Sequence, residues 1–421
     1  MNEYIIGIDI GSSKICAAAG KADRYGRIQI MGITSANCSG VKKGIVVDID
    51  STSEAIKKCI DSLERMVDTK IKEAYVCIPG GMCELIWNKG VVAVGSEDRE
   101  IRENDVKRVL KASKIITIPS DKEIVGVIPQ QYIIDGYDKI KEPIGMSGLR
   151  LEVDAQIILA PSTVVNNLLK SISKAGVKLL GMVFQPLAIA EVALKEEETQ
   201  RGVAVVDVGE QSIDIYIYEG GNLASIDTIS LGGNAITNDI SLCLKLPFSE
   251  AEKLKIKYGS VGEELSGCDS PIEVNVDYND KVNVDYFMLK QIIEARVEEL
   301  LYLIDQKMKC SSFYEKVSGI VLVGGGLALI KGIEELSKSI LKKPVRIGAP
   351  EYIGAASPLY TAAVGVVKDA IDSIKDKSVM IDTRKENENN DREWTLKQDQ
   401  KESGNNSGII SKIKEFFTDF F

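Results

Sequence analysis

Histidine is absent from the 421-residue chain. Its absence excludes Ser-His-Asp and Cys-His nucleophilic relays, and histidine-held zinc or haem. Any proton transfer falls to carboxylates, lysines or bound water. Eight cysteines are present, at Cys16, Cys38, Cys59, Cys77, Cys83, Cys243, Cys268 and Cys310, but no two form a CxxC pair. That spacing argues against a zinc site or a thioredoxin-like dithiol. No secretory leader is legible, because Asp9 interrupts the apolar start, and no run reaches the ~18 apolar residues of a membrane span. Reduced thiols in a cytosolic protein are the expectation. Positive charge is not in excess either: 52 Lys and Arg against 62 Asp and Glu leave a net charge of −10. A general nucleic-acid-binding surface is not expected. There is no Walker A sequence, and no GxGxxG opening a βαβ unit.

What is present is a long globular pattern. Hydrophobic residues make up 44% and charged residues 27%, enough for two to four packed domains. Tyr4 to Ile10 reads as a buried strand, with Ile28 to Ile33 and Gly44 to Asp48 as following strands. Ser53 to Val67 carries apolar residues at helical spacing, and Ala74 to Ile78 is a further strand. A second cycle opens with the strand Val203 to Val208, continues through Ser212 to Tyr218 and Leu223 to Leu231, and adds helices around Ile236 to Leu244 and Met288 to Lys309. The strand Gly319 to Val323 then runs into Gly324-Gly325-Gly326. Each half opens with a strand ending in Asp and Gly, which implies an internal duplication of an α/β unit. Between the halves, about Cys83 to Ile158 has its own strand-like runs (Glu84 to Trp87, Gly90 to Val94, Glu123 to Tyr132, Leu151 to Ile158). With one helix near Glu103 to Lys114, it reads as an inserted α+β domain.

Three turns carry the chemistry. Gly7-Ile8-Asp9-Ile10-Gly11-Ser12-Ser13-Lys14 ends the first strand. Gly11 lets backbone pass close to a phosphate, Ser12, Ser13 and Lys14 can donate to its oxygens, and Asp9 is placed to hold a hydrated Mg²⁺. Asp207-Val208-Gly209-Glu210-Gln211-Ser212-Ile213-Asp214 repeats the pattern, so two such turns facing each other would clamp a nucleotide's phosphates. Val323-Gly324-Gly325-Gly326-Leu327 follows a strand and can pass close to an adenosine. Any one of these is also an ordinary glycine turn; the ordered set of three is far more specific.

This set resembles the actin, heat-shock chaperone and sugar-kinase ATPase superfamily. Within it the chain is similar, from Tyr4 to Val367, to the FtsA family of bacterial cell-division proteins. The similarity is carried by Ser39-Gly40-Val41 with Gly44-Ile45-Val46, by Ile128-Pro129-Gln130-Gln131-Tyr132, and by Pro143-Ile144-Gly145-Met146-Ser147-Gly148-Leu149-Arg150-Leu151-Glu152. It continues in Leu231-Gly232-Gly233-Asn234-Ala235-Ile236-Thr237-Asn238-Asp239-Ile240, Ala251-Glu252-Lys253-Leu254-Lys255 and Ile293-Glu294-Ala295-Arg296-Val297-Glu298-Glu299-Leu300. The Pro143 to Gly148 run discriminates most, because sugar kinases, heat-shock chaperones and actin itself lack that inserted subdomain.

The resemblance implies an α/β, actin-like (ribonuclease-H-like) duplicated fold with a small α+β insertion of the 1C or SHS2 type, a disordered C-terminal linker and an amphipathic helix. Its boundaries would be 1–83 for the first part of subdomain 1A, 84–160 for 1C and 161–195 for the rest of 1A. Then come 196–245 for the first part of 2A, 246–312 for 2B, 313–349 for the rest of 2A and 350–374 for a return to 1A. The linker is 375–407 and the terminal helix 408–421. The resemblance also implies ATP and Mg²⁺ as ligands, self-association into filaments, and binding of the C-terminal tail of FtsZ at 2B. Other division proteins would bind 1C. The implied nucleotide contacts are Gly11, Ser12, Ser13, Lys14, Asp207, Gly209, Gln211, Ser212, Gly232, Gly233, Gly324, Gly325, Gly326 and Leu327, with Asp9 and Asp207 holding Mg²⁺ through water. Glu252, Lys255, Glu294 and Arg296 lie on helices where relatives contact ribose and adenine; equally they read as solvated charges in i,i+3 pairs. Gln185, before Pro186, occupies the place of a water-orienting Gln or Glu, or is a polar residue at a strand-to-helix turn. The chain departs from the family pattern at two places: Glu210-Gln211 stand where glycines are usual, and Asn234 replaces a common Asp.

From Lys375 to Ser407 the chain carries seven basic and eight acidic side chains with sparse apolar residues. Such a stretch cannot offset the entropy of ordering, so a disordered linker is expected. The end turns apolar again. At 100° per residue, Ile409, Ile410, Ile413, Phe416, Phe417, Phe420 and Phe421 fall in one arc of about 140°. A helix of ~14 residues is too short to span a bilayer and long enough to lie in its interface; docking on the body's own core is the alternative, which the long linker disfavours. Lys412 and Lys414 are offset by Glu415, Asp419 and the terminal carboxylate, so apolar insertion would dominate.

The expected function is an ATP-binding, polymerising adaptor that tethers FtsZ to the inner face of the cytoplasmic membrane, peripheral and at the division site, with at most slow ATPase activity. The alternatives are a PilM-like membrane-platform scaffold, or a chaperone- or sugar-kinase-type ATPase on the same fold.

Overall fold

The computed structural model describes residues 4–262, 271–275 and 281–381. Two compact units emerge. One comprises Met1–Met82 with Asn166–Lys368, and the other is built on Cys83–Val165.

The first unit contains two five-stranded sheets with the same plan. In one, Ile5–Ile10, Lys14–Ala22 and Ile28–Asn37 form an antiparallel meander, and Glu73–Ile78 and Lys178–Phe184 add in parallel beside Ile5–Ile10. In the other, Val203–Val208, Ile213–Glu219 and Asn222–Ile229 form the meander, and Gly319–Val323 and Val345–Ile347 add in parallel beside Val203–Val208. The duplication read from the two Asp-and-Gly strand ends is thus a duplication of topology. Val203–Val208 and Gly319–Val323, paired in parallel, are almost wholly buried, which is why they read as continuous apolar runs.

The strand Lys14–Ala22 has no periodic apolar signal and was not expected as a strand. Its Ala17, Ala18 and Ala19 favour helix in isolation. Burial overrides propensity here, because Ile15 to Ala19 are at most 2% exposed. Small residues are required: a Cβ on Gly7 would lie 2.5 Å from Ala363 O, and one on Gly20 would lie 2.6 Å from Val367 Cγ1. The helix Thr361–Ile381 therefore lies directly on the first hairpin.

Gly44 to Asp48, expected as a strand of the sheet, is corrected by the structure. Only Ile45–Val46 is extended, pairing with Val41–Lys42 in a small hairpin. Asp48 instead caps the helix Ile49–Val67, its side chain accepting from the backbone N–H of Asp50 and Ser51. A side chain that accepts both bonds stabilises the helix start by about 1 kcal/mol, so the helix begins a turn before Ser53. Its buried face is the predicted Ala55, Ile56, Cys59, Ile60, Leu63 and Val67.

The second half adds the helices Gly233–Leu244, Phe248–Tyr258 and Tyr286–Lys309 and the hairpin Ile272–Asn275 with Lys281–Val284. One apolar core runs from Val206 and Ile215 in the sheet to Ile293, Val297 and Leu300 on the long helix.

The inserted unit is a four-stranded antiparallel sheet in the order Glu84–Ala93, Arg150–Pro161, Lys122–Ile134, Tyr137–Ile140, with the helix Glu103–Ser113 on one face. Glu84 to Trp87 and Gly90 to Val94 prove to be one strand. Gly90 permits the close approach of the helix, since a Cβ there would lie 2.1 Å from Val109 O. The Pro143 to Gly148 run is held by backbone: Ile101 N donates to Met146 O and Gly148 N donates to Arg99 O.

The final described helix reaches Ile381, past residue 375 where the linker was expected to begin. Lys375 to Ile381 hold no glycine or proline, so nothing in the backbone stops the helix there. The rest of the expected linker and the helix 408–421 lie outside the described residues. No helix among the described residues is long and apolar enough to cross a membrane.

Candidate functional site

The two first hairpins are built alike. Asp9 pairs with Cys16 and Asp207 with Asp214 across their strands, one position in from the turn. Gly11 N donates to Lys14 O at 3.1 Å, and Gly209 N donates to Ser212 O at 2.9 Å, closing equivalent tight turns. Both turns line one cavity of about 440 Å³ between the halves of the unit, with Asp9, Gly11, Ser12, Ser13 and Lys14 from one side and Asp207, Gly209, Glu210, Ser212 and Asp214 from the other.

The third turn completes the wall. Gly324, Gly325 and Gly326 line the cavity, while Leu327 is fully buried in the second-half core behind them. Gly324 has φ +83°, and a Cβ there would sit 2.4 Å from Asp207 Oδ1. Gly326 N donates to Val208 O at 2.7 Å, tying this turn to the second hairpin. Gly232 and Gly233 support it from outside the lining: Gly233 N donates to Gly209 O at 2.9 Å, and a Cβ on Gly232 would meet Gly209 O at 2.6 Å.

Glu252 and Lys255 reach the cavity from the helix Phe248–Tyr258. Lys255 is only 7% exposed. Its Nζ pairs with Glu252 Oε2 at 2.6 Å and donates to Thr237 Oγ1 at 2.8 Å and to Gly233 O at 3.2 Å. The pair is therefore an i,i+3 ion pair and a cavity wall at once. Glu294 and Arg296 are not brought to the cavity. Arg296 grips Asp239 with Nε and Nη2 at 2.5 and 3.0 Å, and Glu294 Oε1 accepts from Gly262 N at 3.3 Å.

Gln211 does not line the cavity but spans its rim. Its Oε1 accepts from Lys43 N at 3.1 Å, while Ser12 Oγ accepts from the adjacent Gly44 N at 3.0 Å. The tip of the Val41–Val46 hairpin thus holds one side chain from each phosphate-type turn. Both tip residues have positive φ, 48° at Lys43 and 76° at Gly44, the geometry of a two-residue hairpin loop. This clasp was not foreseen, although Lys43-Gly44 between Val41 and Val46 carries the turn signal for it. Glycine at residue 211 could not make it.

The cavity floor is acidic. Asp9 and Asp207 keep part of their surface toward the cavity, with protein around the rest. Burial pushes the Asp9 carboxyl up to about 6. Burial, then the charges of Asp214 and Asp9, push Asp207 up to about 8. Burial raises Asp214 to about 6, against the Thr228 hydroxyl that donates to its Oδ1 at 2.7 Å. Gln185 lies among them, with Nε2 donating to Asp207 Oδ2 at 3.3 Å. The three carboxyls therefore resist ionising together.

Comparison with known proteins places this geometry. The family model described as Cell division protein FtsA matches residues 204–365, and the SHS2 domain inserted in FtsA matches 80–159. Cell division protein FtsA of Bacillus subtilis (strain 168) is 36% identical over 370 residues, covering 88% of this chain and 84% of its own. The chain belongs to the FtsA family of cell-division proteins. Solved structures share the fold at low identity. PilM in the PilM-PilN type IV pilus biogenesis complex has a TM-score of 0.60 at 16% identity, covering 87% of this chain and 98% of its own. MreB5 of Spiroplasma citri bound to AMPPNP has a TM-score of 0.54 at 12% identity, covering 91% and 99%. The fold is actin-like, with the SHS2 insertion of the FtsA family at residues 80–159.

The floor carboxylates predict a pH dependence. Their folded values lie above the 3.8 of a free Asp. Between about pH 4 and about pH 8 the folded state therefore binds more protons than the unfolded one, and stability without ligand falls as pH rises. Asp207→Asn removes the largest contributor. Urea midpoints at about pH 5 and about pH 8 should show a smaller decline in the variant than in the parent chain; equal declines would contradict the assignment.

Proposed function

We propose that the cavity binds ATP with Mg²⁺, and that the chain is a polymerising adaptor linking FtsZ to the cytoplasmic membrane. The observation that carries the first part is the pair of equivalent hairpin turns, each with Asp one position behind, meeting a glycine turn on one cavity. Its volume falls within the roughly 300–1,000 Å³ of ligand sites. Backbone N–H groups of the two turns, with Ser12, Ser13, Ser212 and Lys14, would take the phosphates. Gly324 to Gly326 would admit the nucleoside against Lys255 and Glu252. The nucleotide in the MreB5 structure supports the same reading.

The donor set fits Mg²⁺. Among the described residues no group of three or more His, Cys, Asp or Glu is arranged to hold a metal directly. Mg²⁺ usually keeps several waters and takes one or two carboxylates, and Asp9 and Asp207 would hold those waters. The ion would neutralise charge between the phosphates and the floor. ATP then acts mainly as a structural ligand that closes the cleft and permits self-association. Residues 246–312 would take the FtsZ tail, and 84–160 other division proteins.

The membrane role rests on residues 408–421, which lie outside the described residues. Each large apolar side chain buried contributes about 1.5–3 kcal/mol, opposed by about 1–2 kcal/mol of ordering per residue. A single anchor is therefore reversible, and a filament holds by avidity.

Two outcomes follow. ATP with Mg²⁺ should raise the melting temperature of the chain, and both Asp9→Ala and Gly324→Val should lose that shift. An unchanged melting curve for the parent chain at millimolar ATP would sink the nucleotide reading. In vesicle flotation, Phe417→Glu and truncation after Ser407 should abolish lipid binding while the ATP shift survives. Binding by the parent chain should weaken only mildly with salt. Flotation of either variant would remove this helix as the anchor.

A further inference from the structure

Gln185 opens the helix Gln185–Ala193, lines the cavity and is 9% exposed. Its carbonyl oxygen is held twice. Gly80 N donates to Oε1 at 3.1 Å, and the Tyr216 hydroxyl donates to the same atom at 3.1 Å. A backbone N–H can only donate, so the atom facing Gly80 must be the oxygen, and the NH₂ group is left to face Asp207. A flipped carboxamide would set NH₂ against N–H. The neighbours also sit close against the backbone. A Cβ on Gly80 would lie 2.8 Å from the Tyr216 hydroxyl oxygen, and one on Gly81 would lie 2.2 Å from Asp214 Oδ1. Tyr216 is fully buried, and burial, then the charge of Asp214, holds its phenol well above its usual range. It stays a donor.

This orientation matters for hydrolysis. A carboxamide that places a water for attack on a terminal phosphate must accept a hydrogen bond from that water, aiming the water's lone pair at phosphorus. A carbonyl oxygen has two lone pairs, and here both are occupied. We propose that Tyr216 is a positioning residue that, with Gly80, keeps Gln185 turned donor-outward and so brakes ATP hydrolysis in this cleft. The proposal rests on the ATP reading above. The braked step is ordinary hydrolysis. The water oxygen bonds to the γ-phosphorus and the bridging P–O bond breaks with its electron pair leaving on ADP; one of the water's protons stays as the hydroxyl of the released phosphate and the other passes to a phosphate oxygen. Phenylalanine at residue 216 keeps the ring in the sheet and removes only the second donor, freeing one lone pair of Gln185 for water. Glutamate at residue 185 keeps an oxygen for Gly80 and Tyr216 and replaces the outward NH₂ with an acceptor.

The test uses the full chain with ATP and Mg²⁺, measuring single-turnover hydrolysis with protein in excess and nucleotide affinity by fluorescence titration. Tyr216→Phe should hydrolyse bound ATP about fivefold faster or more, the worth of one hydrogen bond. Its affinity should change by less than about twofold, which separates the chemical step from binding. Gln185→Glu should also be faster, by a route that leaves Tyr216 untouched and serves if Tyr216→Phe does not fold. The acceleration in Tyr216→Phe should vanish in the double variant with Gln185→Ala. A Tyr216→Phe rate no higher than the parent's, a Gln185→Glu rate no higher than the parent's, or a gain that survives Gln185→Ala would overturn the brake while leaving nucleotide binding intact. Failure of the parent chain to bind ATP would overturn both.

Discussion

Asp9 and Asp207 end equivalent strands of two duplicated halves, and Asp214 faces Asp207 across its hairpin. Three carboxyls are therefore gathered at one cavity floor, largely withdrawn from water. Each costs free energy when ionised there, and Asp207 is raised furthest because it answers to both neighbours as well as to burial. The arrangement would be a defect in a core. In the proposed nucleotide cleft, a cation bound with an anionic ligand would remove the repulsion that the fold creates. Much else in the first unit serves to keep these groups close.

That service is done largely by atoms too close for a side chain. Gly324 admits Asp207, Gly81 admits Asp214 and Thr228, and Gly326 lies against the Val208 and Gly209 carbonyls. The halves are also joined by hydrogen bonds of long sequence separation. Lys43 N–H reaches Gln211, and Gly80 N–H reaches Gln185, which in turn meets Tyr216 and Asp207. Glu210-Gln211 thus has two consequences. Glu210 lines the cavity, and Gln211 adds a bond across the rim that glycine could not supply.

The duplicated α/β plan was legible because its strands are continuous apolar runs ending in Asp and Gly. The helix face from Ala55 to Val67 was legible from its spacing. The Ala-rich strand Lys14–Ala22 was not, since its conformation is imposed by burial and by the packing of Val367 on Gly20 rather than by its own propensities. The extra turn at Ile49 depends on a capping bond from Asp48 that competes with a plausible strand. At the site, residues local to the three turns were readable. Pairing between distant residues was not: nothing in the neighbourhood of Arg296 shows that Asp239 claims it. Nor does the surrounding sequence show that Tyr216 and Gly80 claim the oxygen of Gln185.

The central claim is that three separate turns and the Lys43-Gly44 clasp act together on one nucleotide. Amide hydrogen exchange of the full chain, with and without ATP and Mg²⁺, reads this directly, because protection reports each loop separately. The account predicts simultaneous slowing at residues 11–14, 43–44, 209–212 and 324–326. Slowing confined to one of these segments, or to none, would contradict it.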